Sequence, residues 1–247
     1  MTRWKASFIH LIISFFLIGT VAAYIIYFWY PLPLMKKEKA DLLMMMVGGI
    51  DLIVGPLLTL LVYKQGKKTL RMDLTVIAVV QAVFLSMGLY TMFQSRPVFL
   101  VATSERFDMI FVNEIDPTRL SQAKIEKFKT LSFTKPLLVG AKFPTNIEEK
   151  TNIIMSALSG AGDIQTMPEY YVEYQELVPD ILANSAPLQL SAVISEQSLA
   201  VMQEAAQHYG YQPSDVRYMN LGSARGFAVM LIDAKTGQVV GPVNLDL

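Results

Sequence analysis

Two aspartates stand where an apolar chain has no ordinary use for them. Asp51 lies near the middle of the run GGIDLIVGPLLTLL, among Gly48, Gly49, Gly55 and Pro56, and Asp73 opens the next run as DLTVIAVV. Two carboxyls inside a membrane could do acid–base work, one activating water and the other protonating a leaving amine, as in intramembrane aspartyl proteases. That chemistry needs them side by side. Asp51 precedes Tyr63 by 12 positions, roughly 18 Å of helix at 1.5 Å per residue, whereas Asp73 sits at the edge of its run, so no shared centre is expected. A carboxyl in hydrocarbon costs roughly 2.5–3.5 kcal/mol even on the lenient insertion scale. Asp51 is therefore expected to face protein or water. Gln81, roughly 12 Å into the third run, falls within about a turn of the same depth. Two readings follow: a bond from Gln81 to Asp51 inside a bundle, or a groove for a partner's transmembrane helix built from Asp51, the small residues Gly48, Gly49 and Gly55, and a bend at Pro56.

Other chemical tools are scarce. The chain has two histidines and no cysteine, which excludes disulfides, thiolate chemistry and the His-rich spacings of metal enzymes. His10 lies inside the first apolar run and is expected to be hydrogen-bonded or to reach for the interface. His208 ends a helix, where a cation is favoured. Gly222-Ser223-Ala224-Arg225-Gly226 lacks nucleophile-elbow and Walker spacing and reads as a connection between strands. No catalytic residue, metal or cofactor is expected, and nothing resembles a nucleic-acid surface.

The elements that must position these residues begin with the membrane. The sequence is 53% hydrophobic and only 17% charged, with a mean hydropathy of +0.38, too apolar for an ordinary soluble domain. Three runs, about 6–30, 42–63 and 74–93, reach the ~20 residues that a bilayer core requires. The first is too long for a signal-peptide core, and Trp29 and Tyr30 beside Pro31 read as an interfacial anchor. Arg3, Lys5, Lys64, Lys67, Lys68 and Arg71 outnumber Lys36, Lys37, Lys39 and Arg96 on the opposite side, which predicts a cytoplasmic N-terminus. Residues 1–94 hold 9 basic and 4 acidic groups, residues 95–247 hold 12 and 17. The zero net charge thus conceals a basic membrane region, 1–94, and an acidic exported domain, 95–247.

The exported part reads as α+β with an antiparallel sheet. Arg96-Pro97 ends the third helix. Val98–Ala102 and Phe107–Val112 form a hairpin, Asp116-Pro117 starts a helix to about Phe128, and Thr145 and Glu148 form a capping box for a helix whose Ile147, Thr151, Ile154 and Leu158 share one face. A helix from Ser195 to about Tyr209 stops at Gly210. Val216–Leu221, Phe227–Ile232 and Val239-Val240 are strands, and the terminal hairpins are expected to share one sheet. Residues 160–190, with three prolines and Tyr170, Tyr171 and Tyr174, predict only short helical turns and loops.

An ordered set of motifs resembles a known family, the type IV pilin accessory proteins of the TfpX/TfpZ group. It comprises Asp51, Gly55 to Leu60 with Pro56, Lys67-Lys68, Asp73-Leu74, Gln81, Gly88 and Tyr90, Arg96-Pro97, and Arg106-Phe107; Arg225-Gly226-Phe227 and Gly241-Pro242 also look familial. The resemblance spans the chain and is most specific over 51–107. It implies a bacterial inner-membrane protein, no enzyme, that assists type IV pilus biogenesis by acting on pilin subunits before or during assembly. Joined to the groove reading, this predicts a protein that binds, stabilises or chaperones pilin, holding its helix against the second and third spans while the periplasmic domain contacts its head. Membrane lipid and pilin are the implied partners. The competing reading is a membrane-anchored sensor or transport accessory whose periplasmic domain binds a small ligand.

Overall fold

The structure, a computed structural model, describes residues 2–29, 40–188, 195–223 and 226–245. The expected roles of Tyr30, Pro31, the loop lysines 36, 37 and 39, and Arg225 lie outside the described residues. The chain divides into two compact units, Met1–Arg96 and Pro97–Leu247.

The first unit consists of α1 (Arg3–Phe28), α2 (Ala40–Val62) and α3 (Leu70–Gln94). Each contains a segment long and apolar enough to cross a membrane. The Thr2 hydroxyl accepts the Lys5 N–H at 3.4 Å and caps α1. The unit is apolar outside and partly polar inside: Phe8, Phe16, Leu61, Val76 and Phe84 are exposed, whereas Ser14, Asp51 and Thr59 are buried, as are Ile25, Ile77 and Met92. That inversion suits lipid as the surrounding solvent. α2 packs against both α1 and α3, and its contacts run antiparallel to each. Ile18 meets Gly48 near one end of the α1–α2 pair and Ser7 reaches Pro56 near the other. α1 and α3 therefore run in the same direction.

The second unit is α+β around one sheet. Its strands are β1 (Pro97–Ala102), β2 (Phe107–Phe111), β3 (Leu137–Ala141), β4 (Tyr171–Val172), β5 (Ala186–Pro187), β6 (Val216–Ser223), β7 (Gly226–Asp233) and β8 (Val239–Asn244). The order is β4-β3-β1-β2-β6-β7-β8, with β5 also on β6. The hairpins β1–β2, β6–β7 and β7–β8 are antiparallel as expected, and the terminal groups do share one sheet. The sheet is nonetheless mixed, because β1 pairs with β3 and β2 with β6 in parallel. All six residues of β1 are buried, as befits a central strand covered on both faces. Phe99, Val101, Phe128 and Tyr171 centre one core, while Met202, Val229, Leu231 and Val243 centre another beneath the helix Glu196–His208.

Local differences from the sequence reading have physical causes. The helix expected from Asp116 to Phe128 stops at Leu120, although Asp116 caps it by accepting the Thr118 N–H at 2.8 Å. A continuous helix would turn Ile125 away from Leu120 and Ala123; the broken path lets them pack on one core with Phe128. The helix Ile147–Leu158 is capped by Asn146, which accepts the Glu149 N–H at 3.1 Å, one residue beyond the expected Thr145. Its stripe of Ile147, Ile154 and Leu158 faces outward, and Ile153 alone is buried there. Between 160 and 188 lie short turns, the helix Val178–Asn184 and the two-residue strands β4 and β5.

The tyrosines of this segment tie it down. Tyr171 donates to the Gln165 carbonyl at 2.5 Å, Tyr170 to Glu149 Oε1 at 2.7 Å, and Tyr174 to the Gly237 carbonyl at 2.6 Å. Burial pushes the Tyr174 phenol up to about 12, so it stays a neutral donor. Tyr174→Phe should lower stability by about 1 kcal/mol and the melting temperature by roughly 2–4 °C; an unchanged melting temperature would remove this bond from the account.

Candidate functional site

Asp51 is the central residue of α2, and only 5% of it is exposed. Gln81, close to the middle of α3, donates through Nε2 to the Asp51 backbone carbonyl at 3.2 Å and to Oδ1 at 3.4 Å. The bonded reading of Asp51 is therefore realised. Gly55 makes it possible: a Cβ there would stand 2.1 Å from Gln81 Nε2. On the other side, Ser7 Oγ donates to the Pro56 carbonyl at 2.8 Å, and His10 Nδ1 lies 2.6 Å from Thr59 Oγ1. Pro56 has no N–H to give its own helix, and its carbonyl is used to bind α1. The interior of the unit thus contains a polar seam along α2.

Sequence reasoning missed part of that seam. Ser7, His10 and Ser14 recur at helical spacing on α1, as do Gly48, Asp51, Gly55 and Thr59 on α2, and that periodicity was the available signal. The small residues do not form one free face. A Cβ on Gly48 would meet Ile18 of α1 at 2.8 Å, and one on Gly88 would meet Val47 at 2.4 Å, while Gly49 has nothing within 4 Å. Gly48, Gly55 and Gly88 thus let the three helices approach each other.

Two cavities lie between α1 and α3. One, about 210 Å³, is lined by His10, Ser14 and Ile18 of α1, Asp51 of α2, and Gln81 and Leu85 of α3, among others. The other, about 510 Å³, lies further towards the α1 C-terminus, with Tyr24, Ile25 and Trp29 facing Leu89, Tyr90 and Phe93. Trp29 and Phe93 bring their rings to 5.8 Å. The first cavity has polar groups on its wall, and the second is apolar.

The remaining motif residues are dispersed. Asp73 pairs with Lys67 at 2.7 Å and accepts from Thr69 Oγ1 at 3.2 Å, in the first turn of α3. It shares no partner with Asp51. Arg96 lays its guanidinium over the Phe93 ring at 3.7 Å and donates to the Phe93 carbonyl at 2.7 Å, supplying the cation and donor that a helix C-terminus favours. Pro97 opens β1, the strand position where its missing N–H is tolerated.

Arg106 and Phe107 part company in the second unit. Phe107 is fully buried, its ring 6.2 Å from that of Tyr174. Arg106 donates to Asp108 at 2.8 Å and to Asp163 at 3.2 Å. Gln165 completes the cluster when its amide nitrogen faces Asp163 and its oxygen faces Arg106. Burial pushes the Asp108 carboxyl up, although Arg106 opposes it, and Asp108 in turn holds Arg106 above its ordinary value. Gly222 must be glycine for this, since a Cβ would lie 2.6 Å from Asp108 Oδ1. A cavity of about 360 Å³ adjoins the cluster, with Phe143, Lys150 and Ile154 on its wall. Gly241 is constrained in the same way, by Tyr209 Cζ at 2.4 Å.

Three membrane-length helices with an inward polar seam, followed in sequence by an α+β unit, define a membrane protein with a separate folded unit. The chain belongs to the fimbrial assembly protein family FimB, whose description matches residues 1–36, the stretch that contains α1. It is 30% identical over 121 residues to the fimbrial assembly protein of serogroups C1 and C2 of Dichelobacter nodosus, covering 48% of this chain and 92% of that protein. It is 26% identical over 245 residues to the serogroup E1 and serogroup I proteins of the same organism, covering 98% of this chain and 95% of each. No solved structure matches the chain.

The glycines make a direct test of the seam. Gly55→Ala should push the Gln81 amide off Asp51 and lower the melting temperature of the detergent-solubilised protein, with an overpacking cost of about 1–3 kcal/mol, whereas Gly49→Ala, in open space, should be close to neutral. Equal effects at the two positions would contradict the seam.

Proposed function

We propose that this chain is an inner-membrane accessory protein of type IV pilus assembly that binds pilin subunits and holds them ready for incorporation. The N-terminus lies in the cytoplasm and the α+β unit in the periplasm, in line with the distribution of basic residues. The relatives named as fimbrial assembly proteins support the process. The observation that carries the step to pilin binding is the pair of cavities between α1 and α3, lined by successive stretches of α1 from His10 to Trp29. A pilin waiting in the membrane offers an apolar helix, and that helix suits such a cleft. The docking surface is accordingly assigned to the first and third spans, because Gly48 and Gly55, two of the three glycines expected to open a groove on the second span, are covered by Ile18 and Gln81. Asp51 and Gln81 then act on the cleft wall, Pro56 ties α2 to α1, and Asp73, Arg96 and Pro97 set the ends of α3. Arg106 and Phe107 order the first hairpin of the periplasmic unit.

Catalysis is not part of this proposal, since Asp51 and Asp73 are bound to different partners. The sensor reading would draw on the cavity beside Arg106, but its guanidinium is already engaged by Asp108 and Asp163. A photo-crosslinking residue at Ala82, on the cleft wall, should capture pilin in cells, and one at Leu61, which is 81% exposed on the outer surface, should not. Equal capture from both positions, or none from Ala82, would overturn the proposal.

A further inference from the structure

The cleft also specifies what its occupant must carry, given that a transmembrane helix lies in it as proposed above. Asp51 Oδ1 receives one long bond, from Gln81 at 3.4 Å. Among the described residues, Oδ2 accepts none. A carboxyl has room for several donors, and leaving one oxygen without any in a membrane interior is costly. Among the described residues, neighbouring groups do not supply the donor: Gln81 Nε2 is divided between the Asp51 carbonyl and Oδ1, His10 Nδ1 is engaged with Thr59, and neither Ser14 nor His10, which line the same cavity, donates to Asp51. Asp51 is buried, yet it lines the smaller cavity, so a group entering there meets the carboxyl.

The two cavities are lined by successive stretches of α1 and α3. Ser14 marks the level of the first and Ile25 that of the second, eleven residues apart on α1 and therefore roughly 16 Å along a helix. We propose that the cleft recognises a transmembrane helix by two features in register: a hydrogen-bond donor side chain, hydroxyl, amide or ammonium, level with Asp51, and large apolar side chains about eleven residues nearer the Trp29 end. A lipid acyl chain satisfies the second requirement and not the first. The occupant is therefore a helix.

The test uses the full-length protein in lipid nanodiscs and labelled leucine–alanine transmembrane peptides. A peptide with a central Asn should bind about fivefold more tightly than one with a central Leu, the size of an ordinary interhelical polar contact in lipid. The gain should vanish when the Asn is moved seven residues towards either end, and it should also vanish on Asp51→Ala. Moving the Asn needs no protein variant, so the test survives if Asp51→Ala fails to fold. An equal gain at the displaced positions would mean generic polar attraction and would overturn the recognition rule, as would phospholipid as the sole occupant of the cleft. If pilin crosslinks at Ala82 but the peptides do not discriminate, the donor rule falls and pilin docking stands. If the peptides discriminate but pilin is never captured, the donor rule stands and the pilin assignment falls.

Discussion

The structure of the membrane unit depends on one hydrogen-bonded contact, the Gln81 amide on Asp51. Hydrocarbon leaves a carboxyl and a primary amide at mid-span no alternative partner, so their meeting decides which faces of α2 and α3 turn inward. Everything nearby accommodates that contact. Gly55 removes the side chain that would block Gln81, and Gly88 lets α3 close on Val47. On the opposite side the same stripe of α2 is held by α1 through Ser7 on the Pro56 carbonyl and His10 beside Thr59. With α2 occupied in this way, α1 and α3 face each other across the two cavities, and the membrane unit acquires a cleft instead of a closed bundle.

Much of this was legible in the residues. Hydropathy located the three spans, and the cost of burying Asp51 required a partner, for which depth counting offered Gln81 as one of two readings. The role of the glycines was less legible, because small residues permit close approach without naming the neighbour. Ile18 and Val47 are ordinary apolar residues, and nothing in their type announces that they fill the space beside Gly48 and Gly88. Ser7, His10 and Ser14 are a readable stripe once the helix period is applied to polar residues as well as apolar ones.

In the second unit, local signals succeeded where pairing is local. The β1–β2, β6–β7 and β7–β8 connections were expected from turns and β-branched runs. Parallel pairing of β1 with β3 and of β2 with β6 left no such trace, because each joins segments separated by long stretches of chain. β3 itself, Leu137-Leu138-Val139-Gly140-Ala141, is short and interrupted by a glycine that admits Leu177 at close range, so it lacks the alternation that marks a strand. The Arg106–Asp163 bond likewise crosses 57 residues, beyond any motif. Those long-range contacts give the unit one sheet from two separate hairpin groups.

The most direct measurement of the central claim is a double-mutant cycle on Asp51 and Gln81 in the full-length protein in detergent or nanodiscs. Stability is read for the Asp51→Ala, Gln81→Ala and double variants. The account predicts a favourable coupling of about 0.6–1.7 kcal/mol, the range of interhelical polar contacts in lipid, with the second substitution costing little once the first is made. Strictly additive losses would show that the two residues do not hold each other, and would contradict the seam on which the cleft depends.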